Sequence, residues 1–275
     1  MEGSIWNWEK LPYSTLRAAR GDSTLADHSA LQLVDVDEWV LRNERWLRDR
    51  KTADWSTGLV KWSAHSDAVF PISTKSANAR KIMRTNMSGY TILDETRPST
   101  IEVQPSVERF RRVFDTLTNG LLNGLDWSNV FVAGGIVLSA LTCIEPAANS
   151  HASSDIDIYL YGLGPLAAND KISHIFDVWK SNLPQNTKDT TQVVRNSRTI
   201  TFFSQYPIKR VQIVLKLVDS PKDVLLNFDL DVCSMGWDGK EVWLLPRAAR
   251  ALESESPGSP CSLYIFTSYS DVLTI

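Results

Sequence analysis

The sequence has little of what marks a secreted, membrane-spanning or nucleic-acid-coating protein. It has three cysteines in 275 residues, Cys143, Cys233 and Cys261. They are odd in number, widely spaced and form no CxxC pair, so a disulfide framework or a thiolate metal knot is not expected, and reduced buried thiols are. No apolar run reaches the roughly 20 residues of a bilayer crossing; the longest, Val130 to Ile144, is interrupted by Gly134-Gly135. Basic residues are not in excess, since 29 Lys and Arg face 32 Asp and Glu, giving a net charge of −3 and a pI near 5.8. A global positive field for holding nucleic acid is therefore missing, and any such partner needs a local patch. Met1-Glu2-Gly3 leads into tryptophans and charges rather than the basic and apolar regions of a signal peptide. The expectation is a soluble, cytoplasmic protein with no membrane association.

What is present fits a folded chain. Hydrophobic residues make up 43% and charged residues 22%, near the globular average. The length exceeds one typical domain of about 100 to 200 residues, so one α/β domain with an appendage is expected. Six of the ten tryptophans (Trp6, Trp8, Trp39, Trp46, Trp55 and Trp62) lie before Pro98 without a fixed period. Apolar steps of three and four residues from Val36 through Leu47 predict a helix there. Residues 1–100 are read as an N-terminal extension packing on the core, 101–250 as the compact domain, and 251–275 as a linker and tail opened by the Ser254–Pro260 run.

Within the compact domain, Val107, Phe110, Val113, Phe114, Leu117 and Leu121 share one helical face. Asn129 to Ala133 is a short buried strand, the glycine pair a turn, and Ile136 to Cys143 an apolar helix ended by Pro146. Asp155 to Tyr161 alternates strictly, and a helix follows from Leu166 to Trp179. The polar stretch 181–191 is a connection; Thr199–Phe203 and Arg210–Val218 are strands joined around Tyr206-Pro207. Ser220-Pro221 starts a helix. Phe228 to Gly236 reads as a further strand, with Asp238-Gly239 turning the chain into Glu241–Leu245.

Chemistry concentrates in Phe131-Val-Ala-Gly-Gly-Ile-Val-Leu-Ser139 followed by Ser153-Ser-Asp-Ile-Asp-Ile-Tyr159. Alternation places Asp155, Asp157 and Tyr159 on one side of a strand and Ile156, Ile158 and Leu160 on the other. Two carboxylates held this closely repel, and a divalent cation with oxygen ligands, Mg2+ or Mn2+, relieves them. Gly134 and Gly135, lacking side chains before a helix, let a triphosphate approach the backbone amides. Ser154 shapes the loop before the strand beside the nucleotide. Lys171, Arg198, Lys209 and Arg210 can reach a triphosphate, against the alternative of a solvated surface. His151 and His174 have no partner at ligand spacing.

This order resembles the DNA polymerase β nucleotidyltransferase superfamily, whose signature is a Gly-Gly or Gly-Ser helix start and then a strand with two aspartates. The resemblance implies a nucleotidyltransferase fold, a small mixed sheet flanked by helices, and a metal-dependent transfer of a nucleoside monophosphate from an NTP to an acceptor hydroxyl. The acceptor is RNA, a protein or a small molecule. It also implies a third carboxylate on a later strand, at Arg210-Val-Gln-Ile-Val-Leu215, where Gln212 stands instead. Asp229, in Phe228-Asp-Leu-Asp-Val232, is similar to an aspartate that recognises the nucleotide in poly(A) polymerases and tRNA nucleotidyltransferases. The order of these segments also looks like uncharacterised fungal nucleotidyltransferase-like domains, some attached to ankyrin repeats, although no ankyrin repeat is visible. The alternative is a catalytically inactive nucleotide- or protein-binding module that contacts a partner through the tryptophan-rich extension. Asp155, Asp157 and Asp229 are thus the candidate catalytic residues, the first two being the metal ligands. Gly134, Gly135, Ser154, Lys171 and Arg210 are the candidate nucleotide-binding residues.

Overall fold

The computed structural model describes residues 36–49, 54–64, 73–75, 79–83, 100–143 and 155–254. Among these, two sheets form. The larger has eight strands: β1 (Val60–Lys61), β5 (Val130–Ala133), β6 (Ile156–Tyr161), β7 (Gln192–Arg195), β8 (Thr199–Phe203), β9 (Val211–Val218), β10 (Met235–Trp237) and β11 (Val242–Leu244). Their order is β1-β11-β10-β5-β6-β9-β8-β7. Neighbours are antiparallel except β6 and β9, which run parallel. The smaller sheet joins β2 (Ser73–Lys75), β3 (Arg80–Met83) and β4 (Thr100–Val103) in antiparallel order. The protein is therefore a mixed α/β fold with a larger sheet than expected, because short strands extend both edges. β7, exposed at all four residues, carries no burial pattern by which a sequence reading finds it.

Helices cover both faces. The first, α1 (Val36–Asp49), and α2 (Val107–Leu117) match the predicted apolar periodicities. Ser106 caps α2 by accepting the Arg109 amide at 3.2 Å, which satisfies one of the open first-turn donors. The short α3 (Gly135–Leu141) follows the glycine turn directly, α4 (Pro165–Asn182) follows β6, α5 (Pro221–Leu225) follows β9, and α6 (Pro246–Ser254) follows β11.

Alternation along the strands divides the core in two. Val130, Val132, Ile156, Ile158, Leu160, Val211, Ile213 and Trp237 pack with Phe110, Phe114, Ile175 and Trp179 on one face. Phe131, Ala133, Tyr159 and Val218 pack with Leu47, Leu59, Val224, Leu225 and Phe228 on the other. The first face holds two aromatic nests: Phe110, Phe114, Trp127 and Trp237, with centroid separations from 4.9 Å to 6.4 Å, and Phe176, Trp179 and Phe202, the closest pair 5.2 Å apart. Such rings bury about 150–250 Å² each. The second face needs α1 and the β1 edge, so residues 36–49 and 54–64 belong to the same packed body as the sheet.

The strand expected over Phe228–Gly236 is not formed. Only Met235–Trp237 pairs, and Asp231–Cys233 is a 3-10 turn. Arg247 Nη2 donates to the carbonyls of Leu225 and Phe228, while Cys233 and Ser234 donate back to Leu230 and Asp231. These local partners replace a strand ladder. The predicted polar connection 181–191 also holds the end of α4 and a 3-10 turn over Gln185–Thr190. The predicted helix over 136–143 stops at Leu141, and Pro146, His151, Ser153 and Ser154 lie outside the described residues. Among the described residues no helix is long and apolar enough to cross a membrane.

Gly236 sits where β10 crosses the Phe131 ring, and a Cβ there would collide with two ring carbons. Gly236→Ala is expected to lower stability by about 1–3 kcal/mol through overpacking, read as a reduced urea midpoint. Adding Phe131→Leu recovers part of that loss if the clash is its cause.

Candidate functional site

The alternation of β6 is reproduced. Ile156, Ile158 and Leu160 are buried in the first core, and Asp155 and Asp157 lie toward the opposite face, ahead of Tyr159. Antiparallel pairing of Val132 with Ile158 carries the start of β6 to the end of β5, where the glycine turn begins. Gly134 has φ +89°, a conformation side-chain-bearing residues rarely adopt. A Cβ there would also lie 3.1 Å from Phe228 Cε1. The Gly134 amide donates to the Met235 carbonyl at 3.0 Å, fastening the turn to β10, and Gly135 opens α3.

The other wall is β9. Its parallel register sets Val211 beside Ile156 and Gln212 beside Asp157, and the Ile156 amide donates to the Arg210 carbonyl at 2.9 Å. Side chains on the shared face then meet: Arg210 Nε donates to Asp155 Oδ1 at 2.7 Å, and Gln212 Nε2 donates to Asp157 Oδ1 at 3.3 Å. Burial pushes the Asp157 carboxyl up to about 7, assisted by the neighbouring Asp155. Burial also raises Asp155, with the Arg210 guanidinium pulling the other way. Lys209 is only 7% exposed; burial lowers its pKa, opposed by Asp155. The result is two carboxylates at the half-buried start of β6, each hydrogen-bonded by a side chain at the start of β9.

The remaining predicted residues are dispersed. Lys171 Nζ binds Asp126 Oδ2 at 2.7 Å. Asp126 precedes β5, so this pair sits at the end of that strand opposite the glycine turn. His174 Nε2 accepts the Asp126 amide at 3.2 Å in the same place. Asp229 lies exposed in a bend between α5 and the 3-10 turn, rather than on a strand sharing a face with Asp231, which faces Arg247 at 3.4 Å. Ser154 is outside the described residues. Among the described residues no three Asp, Glu, His or Cys side chains gather as a metal group. Phe228, whose ring lies 6.0 Å from Tyr159 and against Gly134, was not anticipated. Its position depends on how residues 221–233 fold back, for which no local signal exists.

A model of the family described as Gabija anti-defense 2 family protein matches residues 108–255, more than half of the chain. The chain is also similar to an uncharacterised protein of Acanthamoeba polyphaga mimivirus, 24% identical over 149 residues, which make up 50% of this chain and 32% of that protein. The chain thus spans about a third of that relative's length. The matching family is not the DNA polymerase β superfamily, so the resemblance drawn from the glycine turn and the paired aspartates is corrected as a classification. Two short motifs recur more widely than the pattern of a whole domain.

A folded-state pKa above the ordinary value means that the native protein holds the Asp157 proton more tightly than the unfolded chain. Stability is then lost as pH rises from about 4 through about 7. Asp157→Asn, which keeps a neutral oxygen for Gln212, is expected to exceed wild type by about 1–3 kcal/mol at pH ~8. The gain should shrink toward zero at about pH 4, measured by urea denaturation across pH.

Proposed function

The chain belongs to the Gabija anti-defense 2 family, and we propose that it serves that anti-defence role by binding a nucleoside triphosphate and transferring its nucleoside monophosphate to an acceptor hydroxyl. The observation that carries this reading is the convergence of the Asp155-Asp157 pair with the Gly134-Gly135 turn at one end of the β5-β6 pair. The order of glycine turn, twin-aspartate strand and adjoining parallel strand supports a nucleotidyltransferase-like arrangement within the mixed α/β fold.

The carboxylate of Asp157, raised toward neutrality by burial and then by the neighbouring Asp155, suits a divalent cation, whose charge stabilises such a pair. Two carboxylates fit one Mg2+ or Mn2+ whose other ligands come from phosphate and water. Asp155 and Asp157 would hold it, and it would neutralise charge on the reacting phosphate. A phosphate would approach the main chain beside Gly135, since the Phe228 ring packs against Gly134 and the Gly134 amide already donates to the Met235 carbonyl. Arg210 supplies a guanidinium for an anionic oxygen. Gln212 orients Asp157 through its amide and, having no basic group, takes no proton from the acceptor. The acceptor hydroxyl would form a bond to the α-phosphorus as the bond to the pyrophosphate oxygen breaks, its proton passing to solvent and pyrophosphate leaving. A protein of the targeted defence system is the acceptor to test first; RNA and small molecules remain the other classes.

A second reading is a binding module without transfer. It is favoured by the two hydrogen bonds with which Arg210 and Gln212 already answer both carboxylates.

Binding of each NTP with Mg2+, and transfer from α-labelled NTP to candidate acceptors, test both readings. Wild type is expected to bind, and the Asp155→Asn/Asp157→Asn double variant to bind at least about tenfold more weakly, a loss of ~1.4 kcal/mol. Gln212→Asp should raise turnover if transfer occurs. Tight binding with no transfer by either protein supports the module, and identical binding by wild type and the double variant removes both aspartates from the site.

A further inference from the structure

We infer that Arg210 is the resident counter-ion of the acidic pair: its guanidinium must leave Asp155 for a divalent cation to enter, and it then takes up the triphosphate. This rests on the nucleotide-and-cation reading above and adds a coupling between the two ligands.

The geometry supports an exchange. The Arg210 backbone is held, because its carbonyl accepts the Ile156 amide at 2.9 Å, whereas its side chain is 44% exposed and reaches a carboxylate that is 24% exposed. The ion pair therefore sits at the mouth of the site on a fixed pivot, where the guanidinium can swing while Asp155 stays just ahead of β6. The pair is open to solvent on its arginine side, so the guanidinium can exchange partners.

Charge balance makes the exchange depend on nucleotide. Asp155 faces two cationic side chains, Arg210 by direct contact and Lys209 through space, and Asp157 already accepts a hydrogen from Gln212. A divalent cation arriving alone must compete with a positive group for Asp155 in a partly desolvated setting, where like charges repel strongly. A triphosphate brings enough negative charge to hold the cation and to receive the displaced guanidinium through paired N–H donors. The two ligands then bind better together than apart, a coupling carried by one side chain.

Mn2+ binding followed by the electron paramagnetic resonance of the free ion tests this without any turnover, with and without the non-transferable analogue α,β-methylene ATP. Wild type is expected to bind Mn2+ weakly alone and at least about tenfold more tightly with the analogue. Arg210→Gln should bind Mn2+ alone at least about tenfold more tightly than wild type, with the gain from the analogue reduced to less than about threefold. Arg210→Lys, which keeps the positive charge, should stay as weak as wild type without the analogue. Arg210→Gln binding Mn2+ alone no better than wild type would overturn the exchange, as would equal tightening by both substitutions. If wild type with the analogue holds Mn2+ no better than Asp155→Asn/Asp157→Asn does, the nucleotide-and-cation reading itself fails, and the exchange with it.

Discussion

The parallel pairing of β6 with β9 is the constraint on which the candidate site depends. Side chains alternate along a strand, so a slip of one residue would send Arg210 and Gln212 into the first core and bring Val211 and Ile213 against Asp155 and Asp157. The register that places Gln212 beside Asp157 keeps both faces consistent: apolar residues against α2 and α4, polar ones toward the glycine turn. A parallel neighbour also requires a crossover. Here it consists of α4, a 3-10 turn and the β7-β8 hairpin, whose Trp179, Phe176 and Phe202 contacts pack into the first core. The chemistry of the acidic pair is thus anchored by an aromatic nest on the other side of the sheet.

On the acidic face itself, apolar and polar demands meet within a few residues. Phe131, Ala133, Tyr159 and Phe228 form a floor with Leu47 and Leu59 from the N-terminal segment, and the carboxylates begin where that floor ends. The floor desolvates Asp157, and the neighbouring strand supplies its hydrogen-bond partner. Glu44 of α1 meets Arg247 at 3.0 Å, and Arg48 Nη2 donates to the Leu226 carbonyl at 2.6 Å. The helix α1 therefore braces the segment that carries Phe228.

Family membership and site geometry answer different questions. The match over residues 108–255 spans α2 through α6, leaving out the β1 edge of the sheet, and classifies the chain, while the placement of Asp155, Asp157, Arg210 and Gln212 bears on what such a protein can bind. A fold and its chemistry are separable. The two carboxylates with their built-in partners are a feature of this site.

Local periodicity by itself determined α1, α2, the buried strand β5, the glycine turn and the alternating β6, because burial on one face writes a repeat of 3.6 or 2 into the residue order. It also put Asp155 and Asp157 on one side, since that follows from alternation alone. Tertiary structure decided the rest. Lys171 was legible as a helical cation, but the direction of α4 turned it to Asp126, away from the glycines. Phe228–Gly236 reads as a strand until Arg247, distant in sequence, claims two of the carbonyls around it. Arg210 and Gln212 became partners of the aspartates only through a parallel register set by the whole crossover. Pairing across the sheet is a non-local energy, and no window of neighbouring residues contains it.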